Sequence, residues 1–184
     1  MQRRLMPEVL DYANKSKLLG VFIDEAYELT GDVPLTQEEK EKIVDAFLTN
    51  NGVVQLPLSV VKLFVKVEAC LDKCLLFCLH PHVNYVALSK SLMSILDSDV
   101  TRCFSDEVEQ AMLTSIQLCQ TGRLTAASVR RFYEIFRSRR SFGDYNDLIA
   151  KMIVTVYLIN EGVDPMPALA GNFGYFDYGE SIEL

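Results

Sequence analysis

Apolar residues recur at helical spacing along nearly the whole chain, and residues that start or stop helices fall between the runs. No segment of strand length alternates apolar with polar residues. The pattern predicts an all-α fold of seven or more helices with an irregular C-terminal tail.

Pro7 opens the first run, which passes through Val9, Leu10, Ala13, Leu18, Val21, Phe22 and Tyr27 and closes at Thr30-Gly31. Thr36-Gln37-Glu38-Glu39 reads as a capping box, in which the Thr36 hydroxyl accepts from a first-turn amide and Glu39 reaches back. That helix continues through Ile43, Val44, Phe47 and Leu48 and stops at Asn50-Asn51-Gly52. Pro57 suits the first position of a long helix ending before Pro81. Its apolar positions, Val60, Val61, Phe64, Val65, Val67, Leu71, Leu75, Phe77 and Leu79, cover much of the circumference and predict a central place. A segment over 83–96 follows, closed by Asp97-Ser98-Asp99, and Ser105-Asp106-Glu107 begins another that ends at Gly122. Thr125 caps a helix over 126–138, and Gly143-Asp144 precedes one over 145–160 with Gly162 behind it. The last 22 residues, with Pro165, Pro167, Gly171, Gly174 and Gly179, are predicted to hold no helix.

Thr30-Gly31 before Leu35-Thr36 is echoed by Thr121-Gly122 before Leu124-Thr125. A duplicated helical lobe with a seam near 97–101 would produce the echo, and so would the generic use of Gly after helices and Thr before them. The division that follows is an N-terminal helical lobe over 1–98, a C-terminal helical lobe over 99–162 with the arginine-rich helix, and an aromatic, acidic tail over 163–184.

At 184 residues the chain suits one domain of good size or two small lobes. Its 49% apolar content excludes disorder as the dominant state. The N-terminal residues carry charge but no apolar core of signal-peptide length follows, and no apolar run approaches a membrane span. No membrane association is expected. The five cysteines (Cys70, Cys74, Cys78, Cys103 and Cys119) are odd in number, and three fall on one predicted helix. A secreted disulfide framework would look different, so a reducing cytoplasmic location is expected.

Cys70, Cys74 and Cys78 stand four apart, and His82 continues the interval, so three thiolates and an imidazole share one stripe that zinc could use. Against that, Pro81 ends the helix before His82, and eight residues of helix spread the sulfurs over about 12 Å. Small buried cysteines at a close helix crossing are the plainer reading. His80 and His82, paired with Cys78 or Cys103, lack a visible orienting third member. Asp97-Ser98-Asp99 begins like a calcium loop but has Arg102 where glycine is needed and Val108 where a bidentate glutamate is needed. No glycine-rich phosphate loop occurs. No catalysis, metal or cofactor is expected.

Arginine is the strongest departure from background. Six of the nine arginines, Arg123, Arg130, Arg131, Arg137, Arg139 and Arg140, lie in one 18-residue window where Glu134 is the only acid. The window carries +5 in a chain of net −7, leaving −12 for the rest. It contains no lysine, and the guanidinium fork grips phosphate and stacks on bases better than ammonium does. Val129, Phe132, Tyr133 and Phe136 form the apolar face of the 126–138 helix, while Arg130 and Arg137 share one flank. A phosphate-contacting edge is one reading. Ordinary Arg130–Glu134 helix pairing, with terminal arginines complementing the macrodipole, is another, and pairing between subunits is a third. The tail places Phe173, Tyr175, Phe176 and Tyr178 within six positions, which suits docking on the parent domain or a neighbouring subunit.

An acidic, cysteine-containing, many-helix cytosolic protein of this size with an arginine-rich helix resembles the closterovirus RNA-silencing suppressors. The resemblance implies an all-α protein that assembles into a ring, binds RNA with little sequence preference and blunts a host's small-RNA defence. The charge clustering of this chain would then put Arg123, Arg130, Arg131, Arg137, Arg139 and Arg140 against the RNA backbone, in a non-catalytic homo-oligomer. The alternative is a helical adaptor that binds a host protein through the apolar 57–80 helix or the aromatic tail.

Overall fold

The computed structural model describes residues 12–30, 34–49, 55–80, 83–97, 142–160 and 162–170. These form six α-helices and one 3-10 turn, with no strand among the described residues. The expected helices over 105–122 and 126–138 lie outside the described residues.

Helix α1 (Tyr12–Glu28) buries Leu18, Leu19, Phe22, Ile23 and Ala26, a single face at helical spacing. It ends where the Tyr27 carbonyl accepts from both the amide and the hydroxyl of Thr30, at 3.0 and 2.7 Å. Helix α2 (Gln37–Thr49) starts at the expected capping box. The Glu39 amide donates to the Thr36 hydroxyl at 3.2 Å, and the Thr36 amide donates to the Glu39 carboxylate at 2.8 Å. These bonds hold the Glu39 carboxyl below its ordinary value. Ile43 and Val44 turn the inner face of α2 to the core.

Helix α3 (Leu58–Cys78) follows Pro57, whose carbonyl accepts from the amides of Val60 and Val61. Helix α4 (Tyr85–Leu96) is capped by Asn84, whose side chain accepts from the Ala87 amide at 3.0 Å. The 3-10 turn Gly143–Tyr145, with Gly143 at φ +56°, leads into helix α5 (Asn146–Asn160). Gly162, at φ +80°, closes α5: its amide reaches the Ile159 carbonyl at 3.0 Å, and the Val163 amide reaches that of Leu158 at 2.8 Å. That bond pair is a Schellman close, and the positive φ is why glycine stands there.

Helix α6 (Met166–Ala170) corrects the expectation of a helix-free tail. The Asp164 side chain accepts from the Met166 amide at 2.9 Å, and Pro165 supplies a carbonyl to Leu169 at 3.0 Å. Ala168 and Leu169 are buried, so a local cap and core contact together sustain a helix that five residues could not hold alone.

Helices α1, α4 and α5 pack against α3, α5 also packs against α1 and α4, and α2 lies on α1. The resulting hydrophobic cluster draws on residues from Leu18 to Leu169, from both sides of the expected seam. Phe64 sits at its aromatic corner, 6.1 Å from the Tyr27 ring and 6.3 Å edge-on from Phe47. The most enclosed helix is α5, in which every residue from Leu148 to Ile159 except Lys151 is buried. Lys151 pairs with Glu25 of α1, and both side chains are only 12% and 15% exposed. The expected central place of α3 is met by its contacts, but one side of it is left open. It touches α1, α4 and α5, yet Val65 and Leu79, counted toward its core face, are 52% and 50% exposed.

Candidate functional site

All nine arginines of the chain, including Arg123, Arg130, Arg131, Arg137, Arg139 and Arg140, lie outside the described residues. So do Cys103, Cys119, His82 and the four tail aromatics. Three features of the described residues bear on function: the cysteine stripe, a cleft beside α1, and the outer side of α3.

The four-residue spacing brings Cys70, Cys74 and Cys78 onto one face of α3, as the sequence predicts, and that face is the buried one. The Cys70 thiol donates to the Leu92 carbonyl of α4 at 3.8 Å. Burial pushes the Cys70 and Cys78 thiols up to about 12, and moves Cys74 upward as well, with the neighbouring sulfurs adding to the shift. A metal ligand or nucleophile needs the thiolate, which a dry helix crossing disfavours. Among the described residues no group of three or more His, Cys, Asp or Glu side chains is arranged to hold a metal ion. His80 is exposed just beyond the α3 C-terminus, whereas the Cys78 sulfur faces inward. The core reading of these cysteines is the one their surroundings support.

A cleft of about 460 Å³ runs between α1 and α2 and is closed at one side by Met166 of α6. Ser16, Lys17, Gln37, Lys40, Glu41 and Asp45 line it with mixed charge. Lys40 is held at its wall by Asp24 at 2.6 Å. Gly20 forms part of the floor, and a methyl group there would meet Lys40 and Val44 at 3.9 Å, ordinary contact distance. Balanced charge with no buried convergent polar group gives the cleft no preference for an anion or a cation.

The outer side of α3 was missed by counting apolar residues around the helix. Leu58, Val65 and Leu76 are 69%, 52% and 54% exposed, and Ala69 is exposed between them. Lys62 and Asp72 complete the same stripe, with Asp72 held by Lys15 of α1 at 2.8 Å. The signal was present in the sequence, because these positions repeat at alternating steps of four and three, but it was submerged in a helix apolar on several sides. No helix of the described residues is long and apolar enough to cross a membrane, so this greasy stripe is not part of a transmembrane helix. Comparison with protein-family models, curated proteins and solved structures finds no match.

Proposed function

We propose that the protein is a non-catalytic, oligomeric RNA-binding protein with little sequence preference, similar in action to viral suppressors of RNA silencing. The observation that carries this reading is the arginine window, +5 over 123–140 in a chain of net −7. Backbone phosphates reward such a cluster without regard to sequence, while the acidic remainder suppresses indiscriminate adhesion to nucleic acid.

In this reading the 99–162 lobe carries the RNA-facing arginines in a chain of seven or more helices, and the protein works in the cytoplasm as a homo-oligomer.

The test is RNA binding across a salt series. The log–log slope should be near −0.7 per phosphate contact for single strands and about −0.9 for duplex. Replacing Arg137, Arg139 and Arg140 together with Ala should weaken binding to all sequences alike and flatten the slope by about 2–3. Unchanged affinity in that variant would remove the cluster from the site. A helical protein–protein adaptor is the second reading, favoured by the exposed apolar residues of α3. Absence of RNA binding even at low salt would select it.

A further inference from the structure

The exposed stripe of α3 consists of Leu58, Lys62, Val65, Ala69, Asp72 and Leu76, at steps of four, three, four, three and four. That is the two-per-heptad seam by which one helix packs along another. Its chemistry is palindromic about the level of Val67. Laid antiparallel on a copy of itself, Leu58 meets Leu76 of the second copy, Lys62 meets Asp72, and Val65 meets Ala69. Two-fold symmetry then generates the same three contacts again. Every apolar position faces an apolar one, and the one cation of the seam faces its one anion, Asp72, a half-exposed carboxylate that also keeps Lys15 of its own α1 at 2.8 Å.

We propose that this face of α3 is a self-association surface whose partner is a second copy of the chain, packed antiparallel at a shallow left-handed crossing. The inference rests on the oligomeric part of the reading above but not on the RNA contacts. The seam extends about 27 Å from Leu58 to Leu76, and with helix axes 8–10 Å apart it buries only about 1,000 Å² in total. That lies at the low end of specific interfaces, so a weak, concentration-dependent dimer is the expected species. Two neighbouring charges do not oppose the pairing. Lys66 donates to the Leu96 carbonyl of its own α4 at 3.2 Å, and Glu68 is half-buried in its own molecule.

The experiment uses sedimentation of the full-length chain over a wide concentration range without RNA, with circular dichroism to confirm the fold of each variant. Wild type should dimerise. Lys62→Asp sets Asp against Asp, and Asp72→Lys sets Lys against Lys, so each variant alone should associate at least about tenfold more weakly. Mixing the two should restore dimers. The introduced aspartate of one variant then faces the introduced lysine of the other, and at the opposite end the unaltered Asp72 and Lys62 meet. Leu76→Glu should abolish association without lowering thermal stability of the monomer.

A wild type that stays monomeric throughout overturns the proposal. So does an oligomer indifferent to both charge variants, which must assemble elsewhere. A Leu76→Glu monomer that melts early would show the face covered by another segment of the same chain, and would overturn it too. RNA binding measured separately on the same samples reports on the arginine reading, so either idea can fail without the other.

Discussion

Helices α3 and α5 are both rich in apolar residues and pack against each other, yet they are covered to different extents. Helix α5 has two charged residues, Asp147 and Lys151, both in its first half, and from Met152 to Ile159 every residue is buried. Helix α3 spaces Lys62, Lys66, Glu68, Asp72 and Lys73 along most of its length, and its apolar residues divide between an inner face and an outer stripe. Apolar content alone therefore does not identify a fully enclosed helix. A charge every turn or so cannot be enclosed without a partner, and only α5, whose single deeply placed cation finds Glu25, can be surrounded.

The comparison is most easily broken by truncating one residue from each helix. Ile153 of α5 is fully buried, and Ile153→Ala should cost about 3 kcal/mol, within a range of 2–5. Val65→Ala on the outer stripe of α3 should stay within about 0.5 kcal/mol at concentrations where the chain is monomeric. Urea midpoints at constant m would read both, and equal losses would mean that the α3 stripe is covered.

A comparable effect should follow from the ion pairs. Lys151→Met leaves the Glu25 carboxylate enclosed without its cation and should cost about 3 kcal/mol. Lys42→Met, which breaks the pair with Glu38 at 2.6 Å on the open side of α2, should cost no more than about 0.5 kcal/mol because both groups are more than two-thirds exposed. Adding Glu25→Gln to Lys151→Met should recover part of the loss. Failure to do so would point to packing by the lysine stem.

An effect confined to alkaline pH concerns the inner face of α3. An unfolded thiol ionises near 9, whereas Cys70 and Cys78 in the fold do so at about 12. The unfolded chain therefore gives up protons that the folded chain retains, and stability should fall as pH rises from 9 towards 12. The loss should be on the order of 1 kcal/mol per thiol for each pH unit. Tyr145, also raised by burial and by Asp97 and Asp144, acts in the same direction. Denaturant midpoints across that window should decline less steeply for a Cys70→Ala, Cys78→Ala double variant. An unchanged decline would assign the effect to other groups.

Local rules were legible in the sequence wherever the energy that decides them is local. The Thr36–Glu39 box, the ends of α1 and α4 and the Gly162 close all depend on residues within five positions of one another. The α6 helix escaped because Pro165 and Pro167 read as breakers, while the Asp164 cap and the burial of Ala168 and Leu169 prevailed. The candidate RNA site is legible only as charge density over 123–140. The exposed α3 stripe became visible when the neighbours of that helix were known.

By itself the sequence determined that the described segments are helical and where most of them begin and end, because hydrogen-bond caps and apolar spacing act over a turn or two. Tertiary structure alone decided that α5 is enclosed, that Lys151 meets Glu25 across 126 positions, and that one side of α3 stays uncovered. Those outcomes depend on which faces can bury together without stranding a charge, and that is settled only when all the helices compete for the same core.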